Sequence, residues 1–246
     1  MDVLKWIVGI LIIYLSVQYV VGPVMVYINQ RLPKKYKFDL LDSVTFLSER
    51  DEVFRSLHEE IINNEFRYIG SAEILQSHSS MYFSIYYSDE KKITSTLITA
   101  EVAHNSTTTQ IEFTQIYDDG TLLSVNNNSV IGVYPEWKIK EAYRFSNVND
   151  FTELLAIADK IIRIRKRHQI AVPMVEGKEF ETIEQHLNKE LERLVHLGWV
   201  SSKPTENGFK LTPKGAVLMT WKMCWPIKSI ISAIGMYRSK KVLSGA

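Results

Sequence analysis

The pattern of polar and apolar positions changes three times along the chain. From Trp6 to Ile28 there are 23 consecutive uncharged residues, rich in Ile, Val, Leu and Tyr. As a helix rising about 1.5 Å per residue, this stretch reaches roughly 34 Å, enough to cross a hydrocarbon core of about 30 Å. Trp6 and Tyr27 stand near its two ends, where amphipathic rings favour a membrane–water interface, with Ile13 and Tyr19 between them. Pro23 removes one backbone donor, so it should kink the helix and leave a carbonyl that a neighbour or headgroup water must satisfy. The apolar run exceeds the roughly 7–15 residues of a cleavable signal, and no small-x-small site precedes Arg31. Residues 1–30 therefore read as one uncleaved anchor, and 31–47 as a juxtamembrane linker.

The second pattern runs over residues 48–168. Val53, Phe54, Leu57 and Ile61 recur at helical spacing and predict a helix over about 49–63, with Ser48-Glu49-Arg50-Asp51 as its capping box. Beyond Gly70 the period becomes two. Phe83, Ile85 and Tyr87 alternate with Ser84, Tyr86 and Ser88, and Asp89-Glu90-Lys91-Lys92 reads as a turn. Ile93 to Val102 is dense in Thr and Ile, and Ile111, Phe113 and Tyr117 continue the alternation. Asp119-Gly120 is a hairpin turn signal, with Leu122 to Val125 as the return strand and Asn126-Asn127-Asn128-Ser129 as the next loop. Short turns between successive strands predict an antiparallel meander. Helical spacing returns over 148–167 at Phe151, Leu154, Leu155, Ala158, Ile161 and Ile162, a stripe suited to cover one sheet face. The expectation is an α+β domain with a helix-flanked antiparallel sheet.

The third pattern begins near residue 178. Phe180, Ile183, Leu187, Leu191 and Leu194 mark a helix closed by Gly198 as C-cap. Trp199-Val200, a polar stretch ending in Asn207-Gly208, and Phe209-Lys210-Leu211 read as a hairpin, and Thr212-Pro213 as an N-cap with Pro at the first helical position. This order over residues 182–217 resembles the recognition helix and wing of winged-helix domains, and the unit is taken as 178–215. The resemblance implies a module that commonly binds DNA. Here the groove-facing helix carries Glu181, Glu184, Glu190 and Glu192 against Lys189 and Arg193. Phosphates should repel that surface, because basic contacts dominate nucleic-acid affinity. Packing or protein contact is the better reading of the module.

Residues 216–246 hold Lys222, Lys228, Arg238, Lys240 and Lys241 and no acid, interspersed with Trp221, Trp225 and several Ile and Met. This basic amphipathic tail suits the interface of an anionic leaflet, with Pro226 interrupting it; packing on the preceding unit is the open alternative. Lys160, Arg163, Arg165, Lys166, Arg167 and His168 could face the same leaflet, although a solvated helix end is the slightly better reading.

Charge sets the orientation. The formal charge of +1 hides an acidic middle and a basic C-terminal third. Only Lys5 precedes the span, whereas Arg31, Lys34, Lys35 and Lys37 follow it, so the positive-inside rule puts the N-terminus outside and the main domain in the cytoplasm. The sequons at Asn105 and Asn127 then read as chance loop sequence. Arg31, Lys34, Lys35, Lys222, Trp225, Lys228, Arg238, Lys240 and Lys241 are the candidate contacts with the inner leaflet.

Catalytic signatures are absent. There is no HExxH, GxxxxGK[ST], GxGxxG or GxSxG, and the six histidines lack ligand spacing. No cofactor, metal or catalytic residue is assigned. Cys224, the one cysteine, reads as a small buried hydrophobe, and Asp118-Asp119 as a turn pair. The expected function is a single-pass, membrane-anchored binding or scaffolding module with an unidentified protein partner. A membrane-anchored enzyme of unknown reaction and a membrane-tethered winged-helix DNA-binding regulator are the alternatives.

Overall fold

Segments with a period of two become strands and those with a period near 3.6 become helices, so the protein is mixed helix and sheet with one apolar helix at its N-terminus. The structure, a computed structural model, describes residues 2–76, 79–102, 106–166 and 168–245. The N-terminal helix comprises α1 (Asp2–Ser16), a π-helical turn (Val17–Val21) and α2 (Gly22–Asn29). There follow β1 (Arg31–Leu32), β2 (Asp39–Leu40), α3 (Ser43–Ser48) and α4 (Glu52–Asn63). Four long strands come next, β3 (Arg67–Gln76), β4 (Ser79–Ser88), β5 (Ile93–Val102) and β6 (Ser106–Ile116), then β7 (Leu122–Asn126) and β8 (Lys140–Arg144). The chain ends with α5 (Phe151–Arg165), α6 (Glu179–His196), β9 (Phe209–Lys210), α7 (Pro213–Met223) and α8 (Ile227–Leu243). Two compact units result: one of Met1–Tyr36, Ile131–Pro135 and Gln185–Ala233, the other of Lys37–Val130, Glu136–Glu184 and Ile234–Ala246.

In the first unit, Val3–Asn29 is long and apolar enough to cross a membrane. β1 pairs antiparallel with β9 in a two-stranded sheet, and Val200 forms an isolated antiparallel bridge with Leu211 beside it. Leu32, Leu191, Leu194, Trp199, Val200, Leu211 and Ala216 form the small core. Gly208 closes the hairpin at φ +103°, and a Cβ there would lie 2.1 Å from the Leu32 carbonyl oxygen. Only glycine lets the β1 backbone approach so closely. Thr212 caps α7, its hydroxyl accepting from Gly215 N at 3.0 Å and donating to the Gly198 carbonyl at 2.6 Å.

In the second unit the seven strands lie in the order β2-β3-β4-β5-β6-β7-β8. From β2 to β7 every pair is antiparallel; the alternation predicted this for the strands beyond Gly70, whereas β2 is a strand within the stretch read as a linker. β8 departs from that meander by running parallel to β7, which residues 127–139 permit as a crossover. One sheet face is covered by α4 and α5, with Phe66, Phe113 and Phe151 fully buried and meeting ring to ring at 5.0–6.1 Å. Each such burial stabilises by about 1.5–3 kcal/mol. At β3 and β4 the other face is covered by Phe38 on Phe83 and on Phe180. The expected capping box is corrected. Ser48 ends α3, its hydroxyl turned back to the Thr45 carbonyl, and Asp51 caps α4 by accepting from Phe54 N at 2.8 Å. Asp51 wins because it directly precedes the apolar helical set. The edge strand β8 is sealed by α8: Arg144 N donates to the buried Ser239 hydroxyl at 2.9 Å.

Candidate functional site

The most unusual chemistry lies where the apolar helix changes register. Pro23 has no N–H, so neither the ordinary bond to residue 19 nor the π-register bond to residue 18 can form. The sequence predicted one bare carbonyl; the structure supplies donors to both candidates. Trp221 Nε1 donates to the Tyr19 carbonyl at 3.1 Å, and Cys224 Sγ reaches the Gln18 carbonyl at 3.6 Å. In return the Tyr19 hydroxyl donates to the Trp225 carbonyl at 2.8 Å, where α7 has ended and α8 has not begun. The Tyr19 and Trp221 rings meet edge to face at 5.9 Å. Two irregular backbone segments, the π turn and the α7–α8 corner, thus satisfy each other.

This geometry redistributes the predicted span residues. Trp6 and Ile13 are exposed on α1, at 74% and 65%, while Tyr19 is half-buried and Pro23 is buried beside α7. Cys224 is half-buried and bonded rather than enclosed among apolar side chains. Among the expected leaflet contacts, Lys34, Lys35, Lys228, Lys240 and Lys241 are exposed. Trp225 is 55% exposed and Trp221 40%. Lys222 instead donates to the Tyr134 carbonyl at 2.8 Å, Arg31 to the Gln30 carbonyl at 2.8 Å, and Arg238 lies 3.7 Å from Glu136. The tail is thus divided: Met219 packs with the small core of the first unit, and Val242 and Leu243 with the core of the second.

The exposed stripe of α6 is Glu181, Gln185, Lys189, Glu192 and His196, and its half-buried Asn188 clamps residue 36 by accepting from Tyr36 N and donating to the Tyr36 carbonyl. Burial and the nearby Glu190 push the Tyr36 phenol up to about 12.

No family model, curated protein or solved structure matches the chain. Lys166, read as part of a basic helix end open to solvent or a leaflet, is turned inward: its side chain is 2% exposed, 2.9 Å from Glu141, and its ammonium lies 5.0 Å from the Tyr117 ring centroid. Burial would raise the Glu141 carboxyl, but hydrogen bonds from Lys166 and Arg165 outweigh it and hold that carboxyl below its usual range. Arg167 and the histidines at 78 and 104, like Asn105 of the first sequon, lie outside the described residues. Asn127 of the second sequon accepts from Ile111 N at 2.8 Å. Asp119 accepts from Thr121, and Asp118 from Ile170 N, so both are engaged at the turn. His58 has Nδ1 2.9 Å from the buried Tyr86 hydroxyl; burial lowers its pKa against an opposing effect of Glu59. Among the described residues no cluster could hold a metal ion. Across β5 and β6 the sheet face away from α4 and α5 carries Thr96, Ile98, Gln110, Glu112 and Thr114, all partly exposed.

Proposed function

We propose that the chain is a single-pass membrane-anchored binding or scaffolding module, with its N-terminus outside and its main domain facing the cytoplasm. The observation that carries this reading is the surface of α1. Val3, Leu4, Trp6, Ile7, Val8 and Ile10 to Ile13 are all exposed, and these positions surround the helix. A helix that is apolar all round and packs on no protein requires an apolar solvent. Four bases between Arg31 and Lys37, against Lys5 alone before the span, support the orientation. The pairing of β1 with β9 and the Val200–Leu211 bridge next to it support a winged-helix-like unit. The mixed, acid-containing stripe on α6 favours protein over nucleic acid as what that unit meets.

The test is thiol topology in intact cells. Lys91 pairs with Asp159 at 2.9 Å, so the probe belongs at the exposed neighbour, as Glu90→Cys in a Cys224→Ser chain. The protein should resist alkaline carbonate extraction, keep its N-terminal residues, and react with an impermeant maleimide only after permeabilisation. Loss of the first 30 or so residues would mark a cleaved signal and overturn the anchor. Labelling of intact cells would overturn the orientation.

A further inference from the structure

The length of free helix and the position of the α7–α8 corner do not fit a span that ends at Ile28. The unpacked part, α1, has 15 residues, which at about 1.5 Å each give roughly 22 Å against a core of about 30 Å. The five residues of the π turn add about 7 Å and close the gap. Counting from Asp2 is the generous choice, since Lys5 favours the interface. Yet Gln18 and Tyr19 of that turn are the residues bonded to Cys224, Trp221 and Trp225. A bilayer that covers the turn must also reach the corner.

Resting on the anchor reading, we propose that Trp221–Ile230 is submerged in the headgroup and acyl boundary of the leaflet on the domain side. On this placement the hydrocarbon crossing is about Val3–Val21, and Gly22–Asn29 stands beyond it as a helix packed on α7. The corner is built for that medium. Irregular backbone survives near hydrocarbon only where its polar groups are paired, and here the Tyr19, Gln18 and Trp225 carbonyls all are. The Cys224 carbonyl accepts from Lys228 N at 2.8 Å and the Trp221 carbonyl from Cys224 N at 3.3 Å. The outward surface holds Trp221, Trp225 and Ile230, the last 54% exposed, with Lys228 exposed beside them and no acid from residue 216 onward. Trp, Ile and Lys together match an anionic interface. The occupant of this face is lipid, because the face continues the exposed surface of α1 itself.

The experiment attaches an environment-sensitive fluorophore at Ile230→Cys, or at Ser229→Cys should the first variant misfold, in full-length Cys224→Ser protein in vesicles of phosphatidylcholine and phosphatidylserine. A label at Leu11→Cys reports the span. The expected result is a blue-shifted emission at residue 230, quenched best by a nitroxide high on the acyl chain, with residue 11 quenched best by one near the chain end. Quenching at residue 11 with none at 230 or 229 overturns this placement and leaves the anchor standing; the corner would then face water or a second protein chain. Absence of quenching at residue 11 overturns the anchor, and the placement with it.

Discussion

Trp221→Phe isolates the bond that replaces the one Pro23 removes. Phenylalanine keeps a ring against Tyr19, whose centroid lies 5.9 Å from that of Trp221, but deletes the Nε1–H that donates to the Tyr19 carbonyl at 3.1 Å. A carbonyl left bare away from water costs about 1–3 kcal/mol, roughly a five- to 160-fold shift in the folded ratio. Pro23→Ala restores an N–H at the position from which either helical register could reach the freed carbonyls. In that background the same Trp221→Phe change should cost far less, because the new donor bonds whichever carbonyl is bare. The coupling energy should be about 1–2 kcal/mol, typical of groups sharing a partner. All four proteins would be unfolded with urea in detergent micelles and scored by pulse proteolysis, following fragments cut within 185–233. Equal costs of Trp221→Phe in the two backgrounds would refute the account of the π turn.

Three further outcomes follow from single sites. Gly215→Ala should unfold the first unit's small core, since its Cβ would lie 2.0 Å from the Trp199 carbonyl oxygen and backbone cannot yield as a side chain can; proteolysis between β9 and α7 in micelles reads it. Phe113→Ala, at a site 1% exposed in contact with Phe66 and Phe151, should cost about 3–5 kcal/mol in urea unfolding followed by tyrosine signals of the sheet. His58 gives a pH dependence with a definite sign. Burial lowers its folded pKa, so on acidification below the ordinary value of about 6.5 the unfolded chain takes up the proton first and stability falls until the folded histidine titrates. His58→Gln should flatten the urea midpoint across that window relative to the parent; identical slopes would refute the burial argument.

Much of the architecture is local and therefore legible. The apolar run of the first helix, the alternation of β4 to β7, the stripe on α5 and the Thr212 cap each depend on residues within a few positions of one another. What the sequence conceals depends on distant partners. β1 is two residues long and exists only because Phe209 and Lys210 accept it as a neighbour. Lys166 reads as one more base in a basic run, and its burial is fixed by Glu141 and Tyr117, far away along the chain. The parallel placement of β8 is set by the crossover before it and by Ser239 sealing its edge, neither of which has a period.

Pro23 shows most clearly how a local rule and a distant one combine. Proline chemistry alone says that a carbonyl about one turn earlier loses its donor, and the apolar surroundings say that the loss must be made good. Neither statement names the donor. The structure names two, on a corner more than 200 positions later in the chain. Trp221 stands in the last turn of α7 and Cys224 just past its end at Met223, which places the indole and the thiol together beside the π turn. The polar cost of breaking the first helix thus selects aromatic and sulfhydryl donors. Lysine or arginine could donate equally well to those carbonyls, but would carry a charge to a depth where charge is costly.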